Sequence, residues 1–295
     1  MSKRVAIQLR NYEKEDWRRL SRISAEAGFS YVAMAFGDPT PLLRDDWRDY
    51  VNEMVETFAR LGLRCVQTHA PYYDLQISAE KRDADMETAL FRMAEVTKML
   101  GAELLAVHPR SFILEGEPRE TTVDRARSFE ENLISFRPLA MECERQGVLL
   151  GIENLMKYPF AYPYFYSWIA EDHAALIDAL DSPAVCAVWD FGHANLVDTD
   201  HAARLRTLGS RIKGTHVHNN DGIEDCHFPP FLPPADGYYV RRTVDWGTLL
   251  PVLRSTGYEG YLTLEPVMPM EHAVEAYIRY LYESVAALDG IFFGT

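Results

Sequence analysis

The feature that most constrains this chain is an alternation. Eight short apolar runs recur along it: "RVAIQLR" (4–10), "YVAMAF" (31–36), "LRCVQTHAP" (63–71), "LLAVHP" (104–109), "VLLGIENL" (148–155), "VCAVWDFGH" (185–193), "IKGTHVHNN" (212–220) and "GYLTLEPV" (260–267). Stretches with the 3.6-residue apolar period of a helix lie between them, such as "EDWRRLSRISAEAG", "DWRDYVNEMVETFARLG" and "ETALFRMAEVTKMLG". Each of these three ends near a glycine suited to a helix C-cap. Apolar runs repeating every 25 to 45 residues or so, with helices between, read as buried parallel strands. Eight such strand-then-helix units predict α/β architecture, a single (β/α)8 TIM barrel spanning residues 1–295 as one domain. A doubly wound open sheet is the competing layout, but no GxGxxG follows the first run to mark a dinucleotide site. No low-complexity linker or shift in composition divides the chain.

Charge narrows the partners. Against 44 acidic residues the chain has 30 basic ones, a net charge of -14. That balance supplies no global field for a phosphate backbone, so nucleic acid is not the expected partner, though a local basic groove would escape this reasoning. No apolar run approaches the roughly 18 residues of a membrane span, and the apolar run at the N-terminus is interrupted by Arg10 too soon for a secretory signal. Cys65, Cys143, Cys186 and Cys226 form no CxxC pair and have no regular spacing. They are expected to be reduced thiols in a cytoplasmic protein.

In a barrel of this kind the active site is built at the C-terminal ends of the strands. Polar residues are concentrated there. Strand three ends in His69, strand four in His108, strand five in Glu153, strand six in Asp190 and His193, strand seven in His216 and His218, and strand eight in Glu265. The loop after strand seven adds Asp225 and His227 as "DCH", ahead of a stiff proline-rich segment that reads as a lid or binding loop. A lone histidine at a strand end is ordinarily a hydrogen-bonded structural residue. Four carboxylates and several imidazoles converging on one mouth are different, because they would repel or shift their pKa values unless a cation neutralised them. A divalent metal is therefore expected, and imidazole with carboxylate suits zinc, manganese or a related first-row ion. In "VWDFGHANL", Asp190 is expected to point into the mouth and Gly192 to allow a tight turn that returns His193 to the same space. Asp198 or Asp200 is the better candidate for capping the helix that follows.

At this point the residues resemble a known family. Glu153 in "GIEN", Asp190 in "DFGH", His216 in "THVH" and Glu265 in "TLEP", on strands five to eight, are similar to the ligand set of the xylose-isomerase-like barrel superfamily. That group contains sugar isomerases, ketose 3-epimerases, inosose dehydratases and endonuclease IV. The resemblance implies one divalent ion on these four residues, often manganese, with Glu153 and Glu265 also serving as acid and base. His216 is preferred to His218 because the family pattern puts the ligand first. A second layer resembles endonuclease IV, which binds three zinc ions. His69, His108, His193, Asp225 and His227 stand at the matching places, so one to three ions are implied. The "HVHNNDG...DCHFPP" pattern with a following "VDW" looks more like sugar phosphate isomerase and epimerase proteins, although "ADGYYVRRTVDW" lacks their Gly-x-Gly.

The expected activity is a metal-dependent isomerisation or epimerisation of a sugar or sugar derivative. The metal would acidify the carbon between a carbonyl and a hydroxyl and stabilise the enediolate, while the two glutamates remove and return a proton. Phe36, Tyr72, Trp246 and Asn154 are candidates for the sugar-binding surface, and each would serve equally as wall packing. Arg10, ending strand one, is a candidate for an anionic substrate group, a solvated or salt-bridged arginine being the other reading. His218 completes the substrate-side candidates. A metal-dependent phosphodiesterase acting on abasic DNA is the alternative, opposed by the acidic balance and by the mixed charge of "VDRARSFEENLISFR". A sugar or inosose dehydratase would use the same enolate. Two phenylalanines in the C-terminal "AALDGIFFGT" would pack on the barrel or on a second copy in a homo-oligomer.

Overall fold

A computed structural model describes residues 4–11, 16–71, 83–112, 123–156, 165–197, 200–231, 243–268 and 273–294. Each of the eight apolar runs contains a strand: β1 (Val5–Arg10), β2 (Tyr31–Ala35), β3 (Arg64–His69), β4 (Leu104–Val107), β5 (Leu149–Glu153), β6 (Val185–Asp190), β7 (Ile212–Val217) and β8 (Leu262–Leu264). They pair in sequence order and close into a barrel. Every pairing is parallel, including β1 with β8. The helices α1 (Trp17–Ala27), α2 (Thr40–Leu43), α3 (Trp47–Leu61), α4 (Ala84–Met99), α5 (Arg125–Gln146), α6 (Ala170–Leu180), α7 (Phe191–Asn195), α8 (His201–Leu208), α9 (Trp246–Ser255) and α10 (Val274–Phe293) intervene or follow. The (β/α)8 expectation is met, and an open sheet is excluded by the β1–β8 pairing.

Local chemistry explains where the helices begin. Aspartates accept backbone N–H bonds at the N-termini of α1 (Asp16), α4 (Asp83), α5 (Asp124), α8 (Asp200) and α9 (Asp245). At the far end of α1, Gly28 takes a left-handed φ of 108°, and a Cβ there would lie 2.7 Å from the Tyr282 ring of α10.

Alternation along the strands divides the side chains into two sets. One set faces the helices and forms the main core, with Ile7, Val32, Leu105, Leu150, Ala187 and Leu264 among its members. The other faces the lumen, where Leu104, Ala106, Cys186 and Val188 form a small apolar cluster. Further along the same inward parity come His108, just past β4, Glu153, which ends β5, and Asp190, which ends β6. The same inward step carries His216 and Glu265 into the mouth from β7 and β8. One parity on each strand thus places the strand-end site residues, while His193 comes from α7 and Asp225 and His227 from the loop after β7.

The C-terminal phenylalanines separate: Phe292 is buried in the main core, while Phe293 is 39% exposed. Among the described residues the four cysteines are free, and no helix is long and apolar enough to cross a membrane.

Candidate metal centre

Glu153 is the hub of the mouth. It is fully buried at the end of β5. Its Oε2 lies 3.1 Å from His69 Nε2 and 3.2 Å from His108 Nε2, and its Oε1 lies 3.0 Å from His193 Nδ1 and 3.2 Å from His216 Nδ1. The other carboxylates gather around the same imidazoles. His216 Nδ1 is 3.7 Å from both Asp190 Oδ2 and Glu265 Oε2. Asp225 Oδ2 is 3.1 Å from His227 Nε2 and 3.5 Å from His193 Nε2. All nine predicted ligands therefore occupy one mouth.

Asp190 does more than expected. Its Oδ1 accepts the His193 N–H at 2.7 Å and so caps α7, a five-residue helix where a simple turn was expected. Asp200 caps the next helix as anticipated, and Asp198 lies outside the described residues. Gly192 has a different reason from tight turning. A Cβ there would lie 1.9 Å from the His218 ring, so the glycine makes room for that imidazole.

Backbone carbonyls fix the tautomers of three histidines. Nδ1 of His69 lies 2.8 Å from the Ala70 carbonyl, Nδ1 of His193 3.0 Å from that of Asn154, and Nδ1 of His227 2.8 Å from that of Glu265. A carbonyl only accepts, so in each case Nδ1 carries the hydrogen and Nε2 of the neutral ring presents a lone pair. Those lone pairs face carboxylate oxygens of Glu153 or Asp225. Two electron-rich groups at such distances need a positive centre between them, a proton or a metal ion. Buried Nδ1 of His216, Oε1 of Glu153 and Oδ1 of Asp225 also have no hydrogen-bond partner among the described residues. The donor set fits a divalent ion, with nitrogen and oxygen atoms and no sulfur.

Donor atoms come within 4.8 Å of one another in four groups: Asp190, His216 and Glu265; Glu153, Asp190 and His193; His69, Glu153 and His216; and His193, His218, Asp225 and His227. The first three overlap, each pair sharing one of Glu153, Asp190 and His216, and the fourth meets the second at His193. The fourth lies toward the loop after β7. His218 belongs to it as much as to a substrate surface. Its Nε2 is 3.1 Å from Asp190 Oδ1 and 3.8 Å from Asp225 Oδ1, and its ring stacks on His227 with centroids 3.8 Å apart.

Without an ion, protons take its place. Burial would lower His227, but Asp225, Glu265 and Asp190 raise it to about 9. Against the same effect of burial, His193 is held well above the usual range chiefly by Asp190 and Asp225, and His216 by Glu153 and Glu265. Burial pushes Glu265 upward, yet His216 and His227 hold it at about 2. Glu153, Asp190 and Asp225 are likewise depressed by neighbouring imidazoles in spite of burial. His108 goes the other way because burial prevails over the pull of Glu153.

The substrate-side candidates are placed less uniformly. Arg10 ends β1, and its charge helps to depress Glu265. Phe36 is fully buried in the main core at the end of β2. Asn154 has its amide committed to the neighbouring strand: Nδ2 donates to the Asp190 carbonyl at 3.0 Å and Oδ1 accepts the Asp190 N–H at 2.7 Å. Trp246, the first residue of α9, is packed in the core against Phe191, and its indole donates to the Pro230 carbonyl at 2.7 Å. The polar atoms of these last two are thus engaged by backbone groups. Tyr72 lies outside the described residues.

Two residues bonded to the site were not singled out from the sequence. Gln8 Nε2 donates to Glu265 Oε1, and the Gln67 amide meets His216 Nε2 at 2.7 Å. Their signal was a polar residue inside an otherwise apolar run. His173, by contrast, is structural, with Nε2 bonded to the Ile152 carbonyl at 2.8 Å and burial lowering its pKa to about 4.

Comparisons with known proteins fit this architecture. A family model described as a xylose isomerase-like TIM barrel matches residues 22–284. The chain is 28% identical over 156 residues to the uncharacterised protein y4fM of Sinorhizobium fredii, covering 50% of this chain and 45% of that protein. It is 25% identical over 191 residues to D-psicose 3-epimerase of Enterocloster bolteae, covering 65% of this chain and 55% of the epimerase. The matches thus span about half the length of each of these two relatives. The crystal structure of the E. coli 3-keto-D-glucoside 4-epimerase YcjR superimposes with a TM-score of 0.71 at 18% identity, over 96% of this chain and 99% of that one. At that identity the likeness speaks to fold.

Proposed function

This chain belongs to the xylose isomerase-like TIM barrel family, and on that premise we propose that it is a divalent-metal-dependent isomerase or epimerase of a sugar or sugar derivative. The observation that carries the reading is the convergence of Glu153, Asp190 and Glu265 on His216 Nδ1, at 3.2, 3.7 and 3.7 Å. These four residues would hold the ion, manganese or zinc by the chemistry of the donors. When bound, such an ion supplies Lewis-acid polarisation of a carbonyl and its neighbouring hydroxyl, which acidifies the C–H between them.

Glu153 and Glu265 would take and return that proton. Both are held ionised by neighbouring imidazoles, which suits the proton-accepting role. Gln8 occupies one oxygen of Glu265 and leaves the other facing the mouth. Arg10, near Glu265, is the group here best suited to orient a hydroxyl or an anionic substituent. The epimerase names among the relatives support a ketose as the first substrate class to test.

The test is proton exchange. Incubation of the metal-loaded protein with D-fructose, D-psicose or D-tagatose in D2O is expected to place deuterium at the carbon beside the ketone, read by NMR. Glu153→Gln and Glu265→Gln should each lower that exchange by about 10²- to 10⁴-fold. Near-normal exchange in both variants sinks the mechanism.

The donor group His193, His218, Asp225 and His227 supports a second reading, phosphodiester hydrolysis with two or three ions as on abasic DNA. The net charge of -14 argues against a duplex substrate. Absence of binding to an abasic duplex at low salt closes that option.

A further inference from the structure

We propose that Gln67 is a positioning residue whose amide aims His216 at the metal-binding carboxylates from across the barrel lumen. Gln67 sits inside β3 and is 4% exposed, and its amide Nε2 lies 2.7 Å from His216 Nε2 on β7. The two strands are on opposite sides of the closed barrel. The other ring nitrogen, Nδ1, is the atom that faces Glu153, Asp190 and Glu265. A hold on Nε2 from behind therefore fixes the direction of Nδ1 in front.

Only certain side chains can supply that hold. A cation on Nδ1 requires the proton to be on Nε2, and the partner must then accept. In the metal-free structure the Gln67 NH2 group faces Nε2 and donates to it, and a half-turn of the side chain's end brings the carbonyl oxygen there to accept once Nε2 carries the proton. A cavity of about 280 Å³ at the N-terminal end of the barrel is lined by Gln67 together with Leu104, Leu149, Gly214 and Thr263. Gly214 is part of the same design, because a Cβ there would lie 3.0 Å from Gln67 Oε1. The lumen at this level is thus kept open for one amide to reach from β3 to β7.

This inference rests on the proposed cation at His216, and its test separates the two. Full-length protein stripped with a chelator is titrated with Zn2+ in competition with a chromophoric chelator, alongside Gln67→Leu, Gln67→Glu and Gly214→Ala. Gln67→Leu is expected to weaken Zn2+ binding by about 10- to 100-fold, the usual effect of losing a partner that orients a ligand. Gln67→Glu is expected to stay within roughly threefold of wild type, because a carboxylate oxygen accepts the same Nε2–H. Gly214→Ala should weaken binding in the wild-type background and add little to Gln67→Leu, because both act through the same amide. Equal Zn2+ affinity in wild type and Gln67→Leu overturns the inference while leaving the metal centre standing, and so does failure of Glu to restore what Leu loses. No Zn2+ binding by the wild type overturns the metal centre itself, and this inference falls with it.

Discussion

Raising the pH of the metal-free protein from 6.5 to 9 is expected to destabilise it, although most proteins are comfortable in that range. The reason is His227, raised to about 9 by Asp225, Glu265 and Asp190 in spite of its burial. In the unfolded chain its pKa returns to the ordinary 6.5. Between those values the folded state binds a proton that the unfolded state does not, so stability falls as pH rises. The stabilisation is fully present below pH 6.5 and is lost as the pH passes about 9. Its size follows from the difference between the two pKa values, about 3 kcal/mol for this one residue. His193 and His216 are raised as well and act in the same direction.

Other groups stay out of this window. His173, lowered to about 4, acts below pH 6.5, while Cys65, Cys143 and Cys186, pushed up by burial to about 12, act above 9. Thermal melts of chelator-treated protein, followed by circular dichroism at constant ionic strength, should show Tm falling by roughly 5 to 10 °C across the interval. A saturating divalent ion should abolish or invert the trend, because it occupies the place of the protons and binds more tightly as they leave. A Tm that is flat or rising from pH 6.5 to 9 in the metal-free protein would refute the picture of protons standing in for metal.

Three further outcomes follow from the same geometry. Binding of Zn2+ near pH 7 should release about one to two protons per ion, measured by calorimetry in buffers of differing ionisation enthalpy; release of none contradicts a metal-for-proton exchange. Gly192→Ala, whose Cβ would meet the His218 ring at 1.9 Å, should lower stability by about 1 to 3 kcal/mol in denaturant titrations, and an unchanged midpoint would mean the two groups are not packed as described. Asn154→Ala removes both partners of the Asp190 backbone and should cost about 1 to 3 kcal/mol while also weakening Zn2+ binding; a stability loss with metal affinity intact would show that the clamp does not align Asp190 as a ligand.

The fold was legible because its physical cause repeats eight times. A parallel strand buried on both faces must be a short apolar run, and a crossover helix must bring the chain back before the next one. Each of the eight runs accordingly contains a strand, from Val5–Arg10 to Leu262–Leu264. Ligand candidates were legible for a related reason: at the end of a buried strand an Asp, Glu or His has few structural excuses, and in a barrel all strand ends point to one mouth. Placement of the secondary residues was not legible in this way. Trp246 and Asn154 are polar-capable residues near the mouth, but whether such a side chain turns toward the lumen or is held by neighbouring backbone depends on the exact height of the next strand. At Asn154 the Asp190 peptide lies close enough to take both ends of the amide.

Gln8, Gln67 and Gly192 show where the limit lies. Each makes sense only against a residue far away in sequence: Glu265 for Gln8, His216 for Gln67 and His218 for Gly192. Strand parity says that Gln67 and His69 share a face, as do Gly214 and His216, but it does not say that β3 and β7 meet across the lumen at the same level. Closure of the barrel decides that. Closure also changes what the two glutamines imply. In an open sheet an isolated amide in an apolar run would be an uncompensated polar group and a reason to doubt the strand. In a closed barrel with a layer of carboxylates and imidazoles above it, the amide bonds to a ligand. The polar interruption and the ligand it serves therefore belong to one structure, assembled from opposite ends of the chain.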